Sequence, residues 1–146
     1  MILKPKRSSR ASAGLQDPMV VLFRTESGVL VDVELNINVG YGYDIRGEVV
    51  GESGTARLAD GSDILVTREA GRISQVTADS RERFLRAFDT EFQEWIDGIA
   101  ADHEARGPNS WDGYAAIVVA DACIAALDSS GWTGVSLPAR PDFYQE

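Results

Sequence analysis

The chain has 146 residues, of which 44% are apolar and 25% charged, a composition typical of a globular domain. Its formal charge of −9 disfavours nucleic acid and anionic membrane surfaces, because both are held by Lys and Arg against phosphates. A single Cys and a single His exclude an internal disulfide and the usual zinc sites, and fit a reduced, cytoplasmic setting.

A chain of this size buries roughly 70% of its unfolded surface, enough for one domain with a core. No apolar run approaches the roughly 20 residues of a membrane span. Residues 1–14, MILKPKRSSRASAG, are basic and lack the apolar centre of a signal peptide. They read as an exposed arm or linker ahead of a domain over 15–146, or as a basic interaction segment.

The first half of the chain alternates with period two. MVVLFR (Met19 to Arg24) is a short apolar run, and Gly28 marks a hairpin turn. In VLVDVELNIN, Val31, Val33, Leu35 and Ile37 share one parity, and Asp32, Glu34, Asn36 and Asn38 the other. That pattern predicts a strand with a core face and a polar face. YDIRGEVV is a third strand, ARLA a fourth, and DILVTRE and RISQVT follow turns at Gly61 and Gly71. About six short strands with tight turns predict a mostly antiparallel meander.

The period then changes. Asp79 is placed to cap a helix, with Glu82 three residues on. Phe84, Leu85, Phe88, Phe92, Trp95, Ile96 and Ile99 recur at helical spacing, which assigns Trp95 to the core. RGPNS breaks this helix, and Asn109 or Ser110 can cap a second over about Trp111 to Leu127. SSGWTGVSLP has the composition for a last returning strand. Strands first and helices after is the α+β pattern.

Chemistry is sparse. Gly40-Tyr41-Gly42 has the look of a phosphate-binding turn, but a dinucleotide fingerprint needs a helix to follow, and here a strand follows. The glycines therefore read as a bend. Tyr41 and Tyr43, with Asn36, Asn38 and Asp44 nearby, bring phenol, amide and carboxylate groups to one strand end. Such groups suit a polyol, whose ring an aromatic face can also cover; half-buried packing is the alternative for the tyrosines. His103 lies on a polar stretch and reads as a surface residue. Cys123 reads as buried filler on an alanine-rich helix. Asp32, Glu34 and Glu48 read as a solvated or subunit-facing surface. The residues by themselves specify no catalytic set and no metal site, which suits a binding or assembly module.

Three segments carry a resemblance: GVLVDVELNINVGYGYDIRGEVVGESGTARL, FLRAFDTEFQEWIDGI and GPNSWDGYAAIVVADACIAALDSSG. In this order they resemble the C-terminal domain of the glucose-fructose oxidoreductase/inositol dehydrogenase/rhizopine-catabolism (Gfo/Idh/MocA-like) family, over about residues 15 to 137. The YGYD and WDGY elements are most similar to its inositol 2-dehydrogenase branch.

The resemblance implies an open, mostly antiparallel sheet with helices packed on one face, and homo-oligomers formed through the other. It implies a parent protein with an N-terminal Rossmann domain for NAD or NADP that oxidises a secondary hydroxyl of a cyclitol or sugar. The family's cofactor glycines and its catalytic Lys, Asp and His have no match here; Ile99 stands four residues before His103. This chain is therefore expected to be a substrate-binding and oligomerisation domain, inactive alone and holding no cofactor of its own. By position the resemblance points to Tyr41, Tyr43 and Asn38 for substrate binding. It adds Trp111 and Asp112, with helix capping open for Asp112. Tyr114 completes the WDGY element.

Overall fold

A computed structural model of the chain describes residues 1–58, 65–68, 71–74, 76–103 and 107–145. The turn expected at Gly61 lies outside the described residues. The chain divides into two compact units, one formed by Met1–Asn38 with Gly107–Glu146 and the other by Val39–Arg106.

The first unit holds an antiparallel sheet of β1 (Ile2–Leu3), β2 (Met19–Arg24) and β3 (Leu30–Leu35), in the order β1-β2-β3. Its register sets Val21 opposite both Ile2 and Val33. Helix α2 (Ser110–Ala126) supplies the rest of the core. Ile2, Val21 and Ala126 are buried, with Met19, Phe23, Val33, Cys123 and Leu127 packed around them. β2 is the central strand, so its alternate residues Met19, Val21 and Phe23 carry most of the apolar face. Cys123 sits in this packing, as its helix position predicts.

Residues 1–14, expected as an arm or linker, contain β1 and the buried Ile2. The Arg7 guanidinium donates to the carbonyls of Ala11, Ser12 and Leu15 at 2.8, 2.6 and 2.8 Å. It thereby closes the turn that leads into β2.

The expected core parity of β3 holds only at Val33, which is half-buried. Val31, Leu35 and Ile37 are exposed. β3 is an edge strand, and within this unit only the residue opposite Val21 reaches the core. Asp32 and Glu34 are exposed, as the polar parity predicts.

In the second unit β4 (Glu48–Gly51) pairs with β5 (Gly54–Arg57), and β6 (Leu65–Arg68) with β7 (Gly71–Ser74), each pair antiparallel. Instead of one sheet of about six strands, the described residues form three antiparallel sheets of three, two and two strands. The α+β class and the antiparallel pairing stand, and among the described residues the pairs are not joined into one sheet. YDIRGEVV is a strand only from Glu48, because the Tyr43 N–H bonds the Thr77 carbonyl at 2.8 Å instead of a neighbouring strand. The last strand expected in SSGWTGVSLP does not form. Gly131, Gly134 and Pro138 all disfavour a strand interior there.

Helix α1 (Ser80–Ala100) starts where its cap predicts. The Asp79 carboxylate accepts the N–H groups of Arg81 and Glu82. Its apolar stripe, expected to be core, is exposed: Leu85, Phe88, Phe92, Trp95, Ile96 and Ile99 all keep about half or more of their surface open, Trp95 56% of it. The periodicity is real, but two-stranded ribbons offer little apolar surface to cover such a stripe. No described helix is long and apolar enough to cross a membrane.

Candidate functional site

The proposed binding residues divide between the two units. Asn38, Trp111 and Asp112 belong to the first; Tyr41 and Tyr43 belong to the second.

The glycine segment of the second unit is a built bend. Gly42 has φ of +133°, and a Cβ there would sit 2.7 Å from the Thr77 carbonyl oxygen. Only glycine satisfies both the left-handed backbone and the close approach. Residue 43 then returns the contact through its N–H to Thr77 O. No helix follows Gly42; β4 is the next element. A pyrophosphate would lack the helix N-terminus it needs, so the residues present do not fit a dinucleotide.

The two tyrosines on this bend differ. Tyr43 is half-buried, with its ring edge-on to Phe84 at 6.1 Å between centroids. This bend-to-helix contact gives it a packing role within the unit. Tyr41 is 59% exposed and its hydroxyl lies 3.4 Å from Asp44 Oδ2. The Arg46 guanidinium pairs with the same carboxylate oxygen. A phenol, a carboxylate and a guanidinium in line form a polar edge able to donate to and accept from neutral hydroxyls.

In the first unit, Asn38 is fixed by Asp17, a residue that the pattern of the sequence does not single out. Asp17 is 1% exposed. Its Oδ1 accepts the Ile37 N–H at 2.8 Å. Its Oδ2 accepts the Asn38 N–H at 3.2 Å and the Asn38 side-chain amide at 2.6 Å. These bonds, the Asn38 side chain first, hold the Asp17 carboxyl below the usual carboxylate range, against the opposing effect of burial. Asp17 and Asn38 are separated by 21 residues, so neither periodicity nor a local motif could pair them. The nearest signal is a carboxylate directly before Pro18, ahead of an apolar strand.

Asp112 occupies a reciprocal cap. Its carboxylate accepts the Asn109 N–H at 2.9 Å, while Asn109 Oδ1 accepts the N–H groups of Trp111 and Asp112. Asn109, not Ser110, is the cap. Trp111 is half-buried, at 5.4 Å from Tyr114 and 6.5 Å from Tyr144 between ring centroids. The aromatic cluster at this helix start includes Tyr144, which the WDGY element alone does not reveal. His103 and the acidic residues Asp32, Glu34 and Glu48 are exposed. Among the described residues, no group of three His, Cys, Asp or Glu side chains could hold a metal.

Comparison with known proteins gives a consistent result. Residues 3–135 match the oxidoreductase family, C-terminal alpha/beta domain. The inositol 2-dehydrogenase of Azotobacter vinelandii is 45% identical over 143 residues, 98% of this chain but 42% of the relative. The inositol 2-dehydrogenase of Burkholderia lata is 44% identical over 144 residues, again 42% of its length. Among solved structures, myo-inositol dehydrogenase from Lactobacillus casei, in complex with NAD(H) and myo-inositol, superposes with a TM-score of 0.85. It is 31% identical over 99% of this chain and 43% of its own. The chain thus spans about two fifths of the length of these relatives. It belongs to the oxidoreductase family as its C-terminal alpha/beta domain.

Proposed function

From that membership we propose that the chain is the substrate-binding and oligomerisation domain of an NAD(P)-dependent dehydrogenase that oxidises a secondary hydroxyl of a cyclitol, with inositol as the nearest substrate. The observation that carries this reading is 45% identity across 98% of the chain to an inositol 2-dehydrogenase. The residues proposed for polyol contact are Tyr41 and Tyr43 in the second unit, and Asn38, Trp111 and Asp112 in the first. Tyr41 beside Asp44 offers alternating donors and acceptors, which is what neighbouring ring hydroxyls require. Trp111 offers an apolar face for the C–H side of the ring.

The hydride chemistry belongs to the nicotinamide, held by a Rossmann domain N-terminal to the sequence described. This chain's share is to bind and orient the polyol and to exclude water. A homo-oligomer would form through the sheet, where β3 is an edge strand with an exposed Leu30. A cytoplasmic setting suits the unpaired Cys123.

The test is a chimera in which this chain replaces the matching 42% of the Azotobacter vinelandii enzyme. It should form NADH in the presence of myo-inositol. A folded, NAD-binding chimera with no polyol-dependent NADH, whatever cyclitol or sugar is offered, would leave a free-standing polyol-binding or assembly module as the better description. In an active chimera, Tyr43→Phe should raise KM for myo-inositol several-fold, as loss of one hydrogen bond does. Unchanged kinetics would remove Tyr43 from the site.

A further inference from the structure

Asp17 is a buried carboxylate with no cation among its described partners: it accepts only from two backbone N–H groups and one amide. These hydrogen bonds outweigh the cost of burial and keep the carboxyl ionised. Its two oxygens each take one backbone N–H, Oδ1 that of Ile37 and Oδ2 that of Asn38, so an asparagine here could accept only one of the two. Beyond holding the backbone, the carboxylate orients a side chain. Both of its oxygens only accept, so the atom of Asn38 that meets it at 2.6 Å must be Nδ2. The amide is thereby fixed in one of its two orientations. Its Oδ1 meets no donor among the described residues, and Asn38 is half-buried at the point where the chain leaves β3.

We infer that Asp17 is a positioning residue of the polyol site: it holds Asn38 through Nδ2 so that Oδ1 is presented as a fixed acceptor for a ring hydroxyl. This rests on the reading of the chain as a polyol-binding domain, with Asn38 in the site. A side-chain acceptor held by a buried carboxylate selects a hydroxyl and rejects groups that can only accept, such as a carbonyl oxygen or a carboxylate.

The experiment uses the chimera described above and measures KM and kcat for myo-inositol in three variants. Asp17→Asn gives up one of the two backbone bonds, which should lower the melting temperature, and allows the Asn38 amide to turn over, which should raise KM roughly three- to tenfold with kcat little changed, the effect of losing one neutral hydrogen bond in substrate binding. Asn38→Ala removes the acceptor while leaving Asp17 its two backbone donors, and should raise KM by a similar factor. The exchange variant, Asp17→Asn with Asn38→Asp, does not recover the second backbone bond but restores a donor facing an acceptor between the two side chains and keeps a second oxygen for the hydroxyl. Its KM should return to within about twofold of the parent chimera if the pair acts as a unit.

A merely structural Asp17 would lower the melting temperature of the first variant and leave KM unmoved, which overturns the inference. Should Asp17→Asn not fold, an unchanged KM in Asn38→Ala overturns it equally. A parent chimera that is folded and binds NAD but does not oxidise myo-inositol rejects the reading beneath it instead, so the two failures are told apart.

Discussion

The two units hold helices of different kinds: α1 is amphipathic, whereas α2 is apolar around its circumference. In the unit of Met1–Asn38 and Gly107–Glu146, α2 is rich in small residues and buries Ala126 with Ile2 and Val21, packing Cys123 against them, while its Ile117 and Ile124 stay exposed. In the unit of Val39–Arg106, α1 carries larger apolar residues at cleaner helical spacing, yet Phe92, Trp95 and Ile99 are exposed. Periodicity tells which face of a helix is apolar. It does not tell what covers that face. A three-stranded sheet whose central strand is paired on both sides offers an apolar floor; two-stranded ribbons do not.

If this contrast is right, the sharpest loss of stability comes from the core of the first unit. Val21→Ala should cost roughly 2 kcal/mol in chemical denaturation of the chain, because the side chain is 4% exposed and opposite two other apolar residues. Gly42→Ala should cost more than about 1 kcal/mol, since φ of +133° and the Thr77 carbonyl both oppose a Cβ. A neutral result would show that the bend is not held as described. Asn109→Ala should cost about 1 kcal/mol through loss of the α2 cap, read by the same denaturation.

A pH-dependent signal belongs to Asp17. Its folded-state pKa is depressed below the ordinary 3.8, so its contribution is fully present above that value and is lost as pH falls through the folded-state pKa. Acid titration of stability should therefore be shallower below pH 3.8 in Asp17→Asn than in the parent chain; identical profiles would remove Asp17 as its source. Smallest of all, Trp95→Ala should change the stability of the chain alone by under about 0.5 kcal/mol, because its side chain is mostly open to solvent. A loss as large as that of Val21→Ala would erase the contrast between the units.

Local features were legible in the sequence and non-local ones were not. Asp79 and α1, and the start of α2 at the Asn109 and Ser110 pair, follow from caps whose partners lie within three residues. The bend at Gly42 followed because glycine there has a single economical explanation in backbone sterics. Hairpin pairing of β2 with β3 followed from the turn at Gly28. The grouping of the described strands into three sheets did not, because strand neighbours are chosen by tertiary contacts that alternation does not encode. Ile2 was hidden inside a basic segment, although its pairing with Val21 places it in the core. Asp17 was hidden because its donors, Ile37 and Asn38, lie at the far end of the next hairpin. Tyr41, Tyr43, Asn38, Trp111 and Asp112 were named from chemistry and resemblance. The structure gives Asp112 a capping role and Tyr43 a ring contact with Phe84, neither of which prevents contact with a ligand.

The proposed function has one dependence: the polyol would be bound and oriented by this chain, and the nicotinamide by sequence outside it. The intact mass of the native polypeptide in its source cell tests that dependence most directly. If the chain is 42% of its protein, as it is of its relatives, then 15.8 kDa divided by 0.42 predicts a mass of about 38 kDa. A native mass of 15.8 kDa would contradict the account.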